Sequence, residues 1–190
     1  GKLIIQSNTD GIVDLIKGEI IEPSLCIKLF RKELFDNLDY DKTMRINEDY
    51  VMNLLLFKKS RKSVFVDEPY YHYYHNENSG SSKNTEEYFY RDILKAADIT
   101  LNLFKYDENI HYYAEKRWFK TYSSMYKNQH SYNFKEIEFD LKSLLYGVRN
   151  KILDNFTMLK NNPLFNFSDK FILYLMKFCP KLLVIIDSLR

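Results

Sequence analysis

Five glycines and four prolines are all that punctuate 190 residues. A chain so poor in both has few places to build tight turns, so helices must carry most of the fold. The apolar pattern agrees. In "EDYVMNLLLFKKS" the apolar residues at 51, 54, 55 and 57 keep helical spacing. Phe89, Ile93, Ala97, Leu101 and Phe104 mark one face of another helix. Further helices are predicted from about Asn109 to Asn128, carrying Trp118, and from about Phe134 through Tyr146, with continuation past Gly147 open. "NTDGIVDLIKGEI" predicts a short helix, capped from within Asn8 to Asp10 and stopped at Gly18. "PSLCIKLF" reads as extended and "RKELFDNL" as one or two helical turns. "SVFV" predicts a strand and "EPYYHYYH" a second extended segment, with "NENSGSSKN" a loop. The expected class is α+β, mainly α: a helical bundle with a few short strands.

A formal net charge of +2 calls for no polyanionic partner, so nucleic acid is not expected. Cys26 and Cys179 stand far apart in apolar contexts, which predicts two reduced, buried thiols rather than a disulfide. No metal site is expected within the chain. His72 and His75 would face opposite sides of an extended segment, and His111 and His130 lack acidic or cysteine companions. The tyrosines of residues 86–146 are read as core and half-buried packing.

The tail "SDKFILYLMKFCPKLLVIIDSLR" predicts an amphipathic helix with Ser168 as its cap, kinked or divided at Pro180. Lys170, Lys177, Lys181 and Ser188 share one helical stripe, and Phe171, Leu175, Phe178, Leu182, Ile185 and Leu189 fall away from it. The apolar runs are far short of the roughly 20 residues that span a bilayer. Two readings follow: packing on the domain, or a peripheral membrane contact through residues 168–190.

Glu48 and Asp49 sit side by side just before the apolar run of residues 51–57. On local grounds acidic residues suit a helix start, with Asn47 as cap. A carboxylate fixed there can also serve as a general base. The surrounding stretch carries a resemblance. "SLCIKLFRKELFDNLDYDKTMRINEDYVMNLLLFKKSRKSVFVDEPYYHYYHNENSGS", residues 24–81, resembles the second half of the bacterial family 2 glycosyltransferases. The shared order is a Lys-Leu-aromatic-Arg run, a Glu-Leu-Phe, a Glu-Asp and a short strand, followed by Pro-Tyr-Tyr-His-Tyr-Tyr at residues 69–74 where the family has Pro-x-Tyr-Tyr-Tyr-Arg.

The resemblance implies an inverting enzyme of GT-A type. In the full-length protein Asp49 would deprotonate an acceptor hydroxyl and Glu48 would position the acceptor or Asp49. Lys28 would lie near acceptor or donor phosphate. Tyr71, Tyr73, Tyr74 and His75 would close the substrate cleft. Tyr74 stands where the family usually has Arg, and the aromatic that often precedes the Lys-Leu run is replaced by Cys26 and Ile27. The family's donor-binding half, a parallel α/β sheet whose Asp-x-Asp holds Mg²⁺ or Mn²⁺, has no counterpart here. Asp39-Tyr40-Asp41 matches in letters only and reads as a surface turn. The metal is therefore expected in the full-length enzyme and not on this chain.

The resulting expectation is the C-terminal remnant of a GT-A fold. Residues 1–83 would form its acceptor side, 84–165 a helical extension and 166–190 the amphipathic tail. A nucleotide-sugar donor and a glycan acceptor would be its substrates, in cell-surface polysaccharide synthesis at the cytoplasmic face of the membrane. The isolated chain is expected to be inactive. The rival expectation is a non-enzymatic helical module that binds a protein or a membrane.

Overall fold

The computed structural model describes residues 1–72, 74, 86–132, 134–137 and 139–189. Tyr73, His75 and the expected loop at 76–84 lie outside them. The described residues form an α+β structure that is mainly α: eight helices and one two-stranded antiparallel sheet.

Strand β1 (Leu3–Ser7) pairs with β2 (Lys62–Val66), Leu3 opposite Val66 and Ser7 opposite Lys62. β1 was not foreseen. Strand residues alternate sides, so Ile4, Gln6, Ser63 and Phe65 turn inward, while Leu3, Ile5, Val64 and Val66 are exposed. Helix α1 (Asn8–Lys17) follows β1 directly. Its cap is Ser7, one residue before the expected stretch: the Asp10 N–H donates to Ser7 Oγ at 3.1 Å. Gly18 ends it as expected, at φ 66°, a left-handed position that suits glycine. A Cβ on Gly11 would stand 2.5 Å from Ser63 Oγ and 3.2 Å from the Phe57 ring, so any larger residue here would have to displace side chains between α1 and β2. Asn8 ties α1 to the end of the next helix, donating to Phe57 O at 2.6 Å and Ser60 O at 2.5 Å.

The segment 23–30 has no regular structure, contrary to its extended reading, and neither do residues 67–72. A 3₁₀ turn covers Lys32–Phe35. Helix α2 (Glu48–Lys59) carries the carboxylate pair in its first turn. Two long helices follow, α3 (Glu87–Phe104) and α4 (His111–Lys127), then a 3₁₀ turn at Asn128–Ser131. Helix α5 (Leu141–Asp154) begins seven positions later than the pattern from Phe134 suggested and runs through Gly147. The Asp140 carboxylate decides its start by accepting the Ser143 N–H at 3.0 Å. Helix α6 (Phe156–Asn161) is short. The tail divides at Pro180 into α7 (Phe167–Phe178) and α8 (Pro180–Ser188). Its cap is Asn166, not Ser168: Asn166 and Asp169 satisfy each other's backbone N–H in a capping box.

Two apolar clusters hold these elements. One gathers Ile12, Leu15 and Ile16 of α1 with Val51, Leu54 and Phe57 of α2 and Phe104, Ile110 and Ala114. The other packs Trp118, Phe119 and Tyr122 of α4 against Leu145, Val148 and Ile152 of α5 and Leu173, Met176 and Leu183 of the tail. Helices α3 and α4 feed both clusters, Ala96 facing one and Ala97 the other. They form the spine of the molecule. Cys26 and Cys179 are free thiols, but both are exposed rather than buried. No helix among the described residues is long and apolar enough to cross a membrane.

Candidate functional site

The first turn of α2 begins from a constrained residue. Asn47 adopts φ 61°, in the left-handed region, and its side chain makes no capping bond. Asn47 occupies the cap position without doing the chemistry of a cap. That kink sends Glu48 and Asp49 into the first turn, Glu48 exposed and Asp49 half-buried. Asp49 Oδ1 accepts the Tyr50 N–H at 2.7 Å. Neither carboxylate forms an ion pair among the described residues, and no arginine is locked to Asp49.

Cys26 and Lys28 lie near enough to Asp49 to feel its charge, and Tyr71 bonds to Cys26. Lys28 is half-buried, and burial pulls its ammonium below the ordinary lysine value. The nearby charge of Asp49 opposes that shift, with smaller help from Glu22 and Cys26. The ammonium donates to the Ser24 carbonyl at 2.6 Å and to the Glu22 carbonyl. Lys28 therefore folds its own segment into a turn while lying within reach of the Asp49 charge. The Cys26 thiol is held below its ordinary value, first by a hydrogen bond with Ser24 (Sγ to Oγ 3.0 Å) and then by one with Tyr71. The charge of Asp49 pushes it the other way. Tyr71 is half exposed and Tyr74 is 88% exposed. The expected Tyr73 and His75 lie outside the described residues.

Two residues missed by the sequence reading hold this cluster in place. Asn53, one turn beyond Asp49, donates its amide to the Pro23 carbonyl and so fastens the Cys26–Lys28 segment to α2. Its own Oδ1 is buried with no partner among the described residues. The signal was present, an amide inside the apolar face of residues 51–57. Asp92 of α3 is buried, and its Oδ2 accepts the N–H groups of Arg45 at 2.7 Å and Ile46 at 3.3 Å. It thereby fixes the approach to Asn47. No local pattern links it to residues 47 positions away.

Among the described residues, the Asp39–Asp41 pair does not fit a divalent ion. Asp41, the better placed carboxylate of the Asp39–Asp41 pair, is held well below the usual carboxylate range, first by Lys95 and then by Thr43. A cation already stands where a metal would have to sit. Among the described residues no group of three or more His, Cys, Asp or Glu side chains could hold a metal.

Two grooves lie elsewhere. One of about 500 Å³ runs between α3, α4 and α5, lined by Arg91, Lys95, Asp98, Tyr122, Gly147 and Lys151. Asp98 anchors it: Oδ1 accepts Trp118 Nε1–H and Tyr122 Oη–H, both at 2.7 Å, and Oδ2 accepts Lys151 at 2.9 Å. Burial, then the hydrogen bond to Asp98 and its charge, push the Tyr122 phenol far above its ordinary value. The other groove, of about 290 Å³, lies between α1 and α4 and is basic, lined by Lys17, Lys116, Arg117 and Lys120 with Glu19 as its one carboxylate.

Comparison with protein-family models, with curated proteins and with solved structures gave no match to this chain.

Proposed function

We propose that this chain is the acceptor-side portion of an inverting, family 2 type glycosyltransferase that transfers a sugar from a nucleotide-sugar donor to an acceptor hydroxyl. The observation that supports the reading is that Lys28 and Cys26 both lie within reach of the charge of the half-buried Asp49, with Tyr71 bonded to Cys26. A carboxylate at a helix start, with no cation bonded to it among the described residues, is placed to take a proton. In the proposed step the acceptor oxygen bonds to the anomeric carbon and the nucleoside diphosphate departs. The acceptor proton passes to Asp49. Lys28 supplies positive charge beside the acceptor, Glu48 orients it and Tyr71 and Tyr74 wall the approach. In this reading the complete enzyme binds its donor through residues outside this chain and builds a cell-surface polysaccharide at the cytoplasmic side of the membrane.

The test is transfer by the complete gene product with a panel of nucleotide sugars. Asp49→Asn is expected to lower turnover by about 10²- to 10⁴-fold while donor affinity stays within about two-fold. Turnover retained by Asp49→Asn would remove Asp49 as base.

A second reading, a non-enzymatic interaction module, is favoured by one observation. Asp49 accepts a backbone N–H and Lys28 donates to two backbone carbonyls, as purely structural residues would. Under that reading the complete protein transfers no sugar from any donor.

A further inference from the structure

Helix α7 is apolar on two opposite sides. One side enters the core through Leu173 and Met176, both fully buried, and Leu183 continues it in α8. On the other side Phe167 (84% exposed), Phe171, Tyr174 and Phe178 (67% exposed) face outward. At 3.6 residues per turn these four fall within a stripe of about 60°. Leu182, Ile185 and Leu189 (81% exposed) extend the outward face past Pro180. The rings lie in parallel pairs, Phe167 on Phe171 at 6.2 Å and Tyr174 on Phe178 at 6.3 Å.

Charge is sorted across the same two helices. Lys170, Lys177 and Lys181 are exposed. Both carboxylates of residues 167–189 turn inward. Asp169 meets Lys116 at 3.1 Å, and Asp187 meets Lys127 at 3.2 Å. The outward surface therefore carries aromatic rings and cations and no anion.

We propose that this face docks on an anionic phospholipid surface, with α7 and α8 lying in the headgroup region. Contiguous exposed apolar surface of this kind marks an interaction site. Aromatic rings suit the bilayer interface, and lysines beside them reach phosphate while their stems cover apolar surface. Charge argues against a second copy of the chain as occupant. A two-fold contact would place the same lysines on both sides with no outward carboxylate to meet them. The proposal does not depend on the sugar-transfer reading.

The experiment is flotation of the purified chain with vesicles of equal parts phosphatidylglycerol and phosphatidylcholine, beside vesicles of phosphatidylcholine alone. The chain floats with the anionic vesicles and releases at high salt. The double variant Phe171→Ser, Phe178→Ser binds at least about ten-fold more weakly, and each of Lys170→Gln, Lys177→Gln and Lys181→Gln about five-fold more weakly. Because both rings are exposed, circular dichroism of the double variant should match the parent. If it does not, an environment-sensitive dye on Cys179, in a Cys26→Ser background, replaces that variant: a blue shift on anionic vesicles supports the proposal and no shift overturns it. Absence of flotation, or equal flotation by a folded double variant, overturns it. So does a dimer seen by sedimentation that the double variant abolishes while no vesicles are bound.

Discussion

Asp92 Oδ2 accepts the backbone N–H of Arg45 at 2.7 Å, joining α3 to the loop that delivers the Glu48–Asp49 turn. Asp92 is buried, and the same oxygen accepts the N–H of Ile46. Asp92→Ala leaves both donors unmet and should cost about 2–3 kcal/mol in urea denaturation. Asp92→Asn keeps an acceptor and should cost about half as much. A loss below about 0.5 kcal/mol for Asp92→Ala would show that the loop holds itself.

Trp118 is the single tryptophan, and its ring stacks on Tyr122 at 4.1 Å with both donating to Asp98. Asp98→Ala orphans two ring donors and leaves Lys151 without its carboxylate. The expected loss is about 3 kcal/mol, with a changed Trp118 emission spectrum. Tyr122→Phe removes one donor and keeps the stack, so it should cost about 1 kcal/mol. Equal losses in the two variants would refute the shared-acceptor account.

Two glycines should answer substitution with opposite signs. A Cβ on Gly147, in the middle of α5, meets nothing within 4 Å, so Gly147→Ala should stabilise by about 0.5–1 kcal/mol. Gly18 is equally uncrowded, but its φ of 66° strains any Cβ. Gly18→Ala should destabilise by about 1 kcal/mol. Thermal melts of the pair separate backbone strain from packing.

Glu115 supplies a pH test. Its side chain is buried, and burial pushes its carboxyl above the usual value, opposed by the hydrogen bond from Asn162 Nδ2 at 2.8 Å. The folded state thus holds the proton more tightly than the unfolded chain does. The stability this contributes is full below the unfolded value near 4.5 and is lost as pH rises through the folded value. Glu115→Gln keeps an acceptor for Asn162 and cannot ionise. It should melt a few degrees above the parent near neutral pH and together with it near pH 4. A gain that persists unchanged at the acid end would assign the effect to packing.

Helix periodicity was the readable part of this sequence, because one apolar stripe per helix is a local signal. It placed α2, α3 and α4 and the break at Pro180. Caps were harder: Ser7, Asp140 and Asn166 each displaced the expected boundary by taking over backbone N–H groups that apolar spacing does not register. Strand β1 escaped because "LIIQS" gains its meaning from β2, 55 and more residues later. Asp49, Lys28 and Tyr71 were each singled out from their own segments. What holds them together, Asn53 on Pro23 and Asp92 on Arg45, lives in long-range hydrogen bonds without a sequence signature. The buried reading of the cysteines failed for a related reason. Their apolar neighbours turn outward too, Ile27 beside Cys26 and Phe178 beside Cys179.

The β1–β2 ribbon is an unfinished sheet. Among the described residues each strand keeps one margin unpaired, and Leu3, Ile5, Val64 and Val66 form a greasy wall toward water. Such a margin is a template for strand addition, and two strands alone are barely self-supporting. At high concentration this polypeptide is therefore liable to zip onto its neighbours edge to edge. Threonines at positions 5 and 64 would then keep it in solution without weakening the helices beneath.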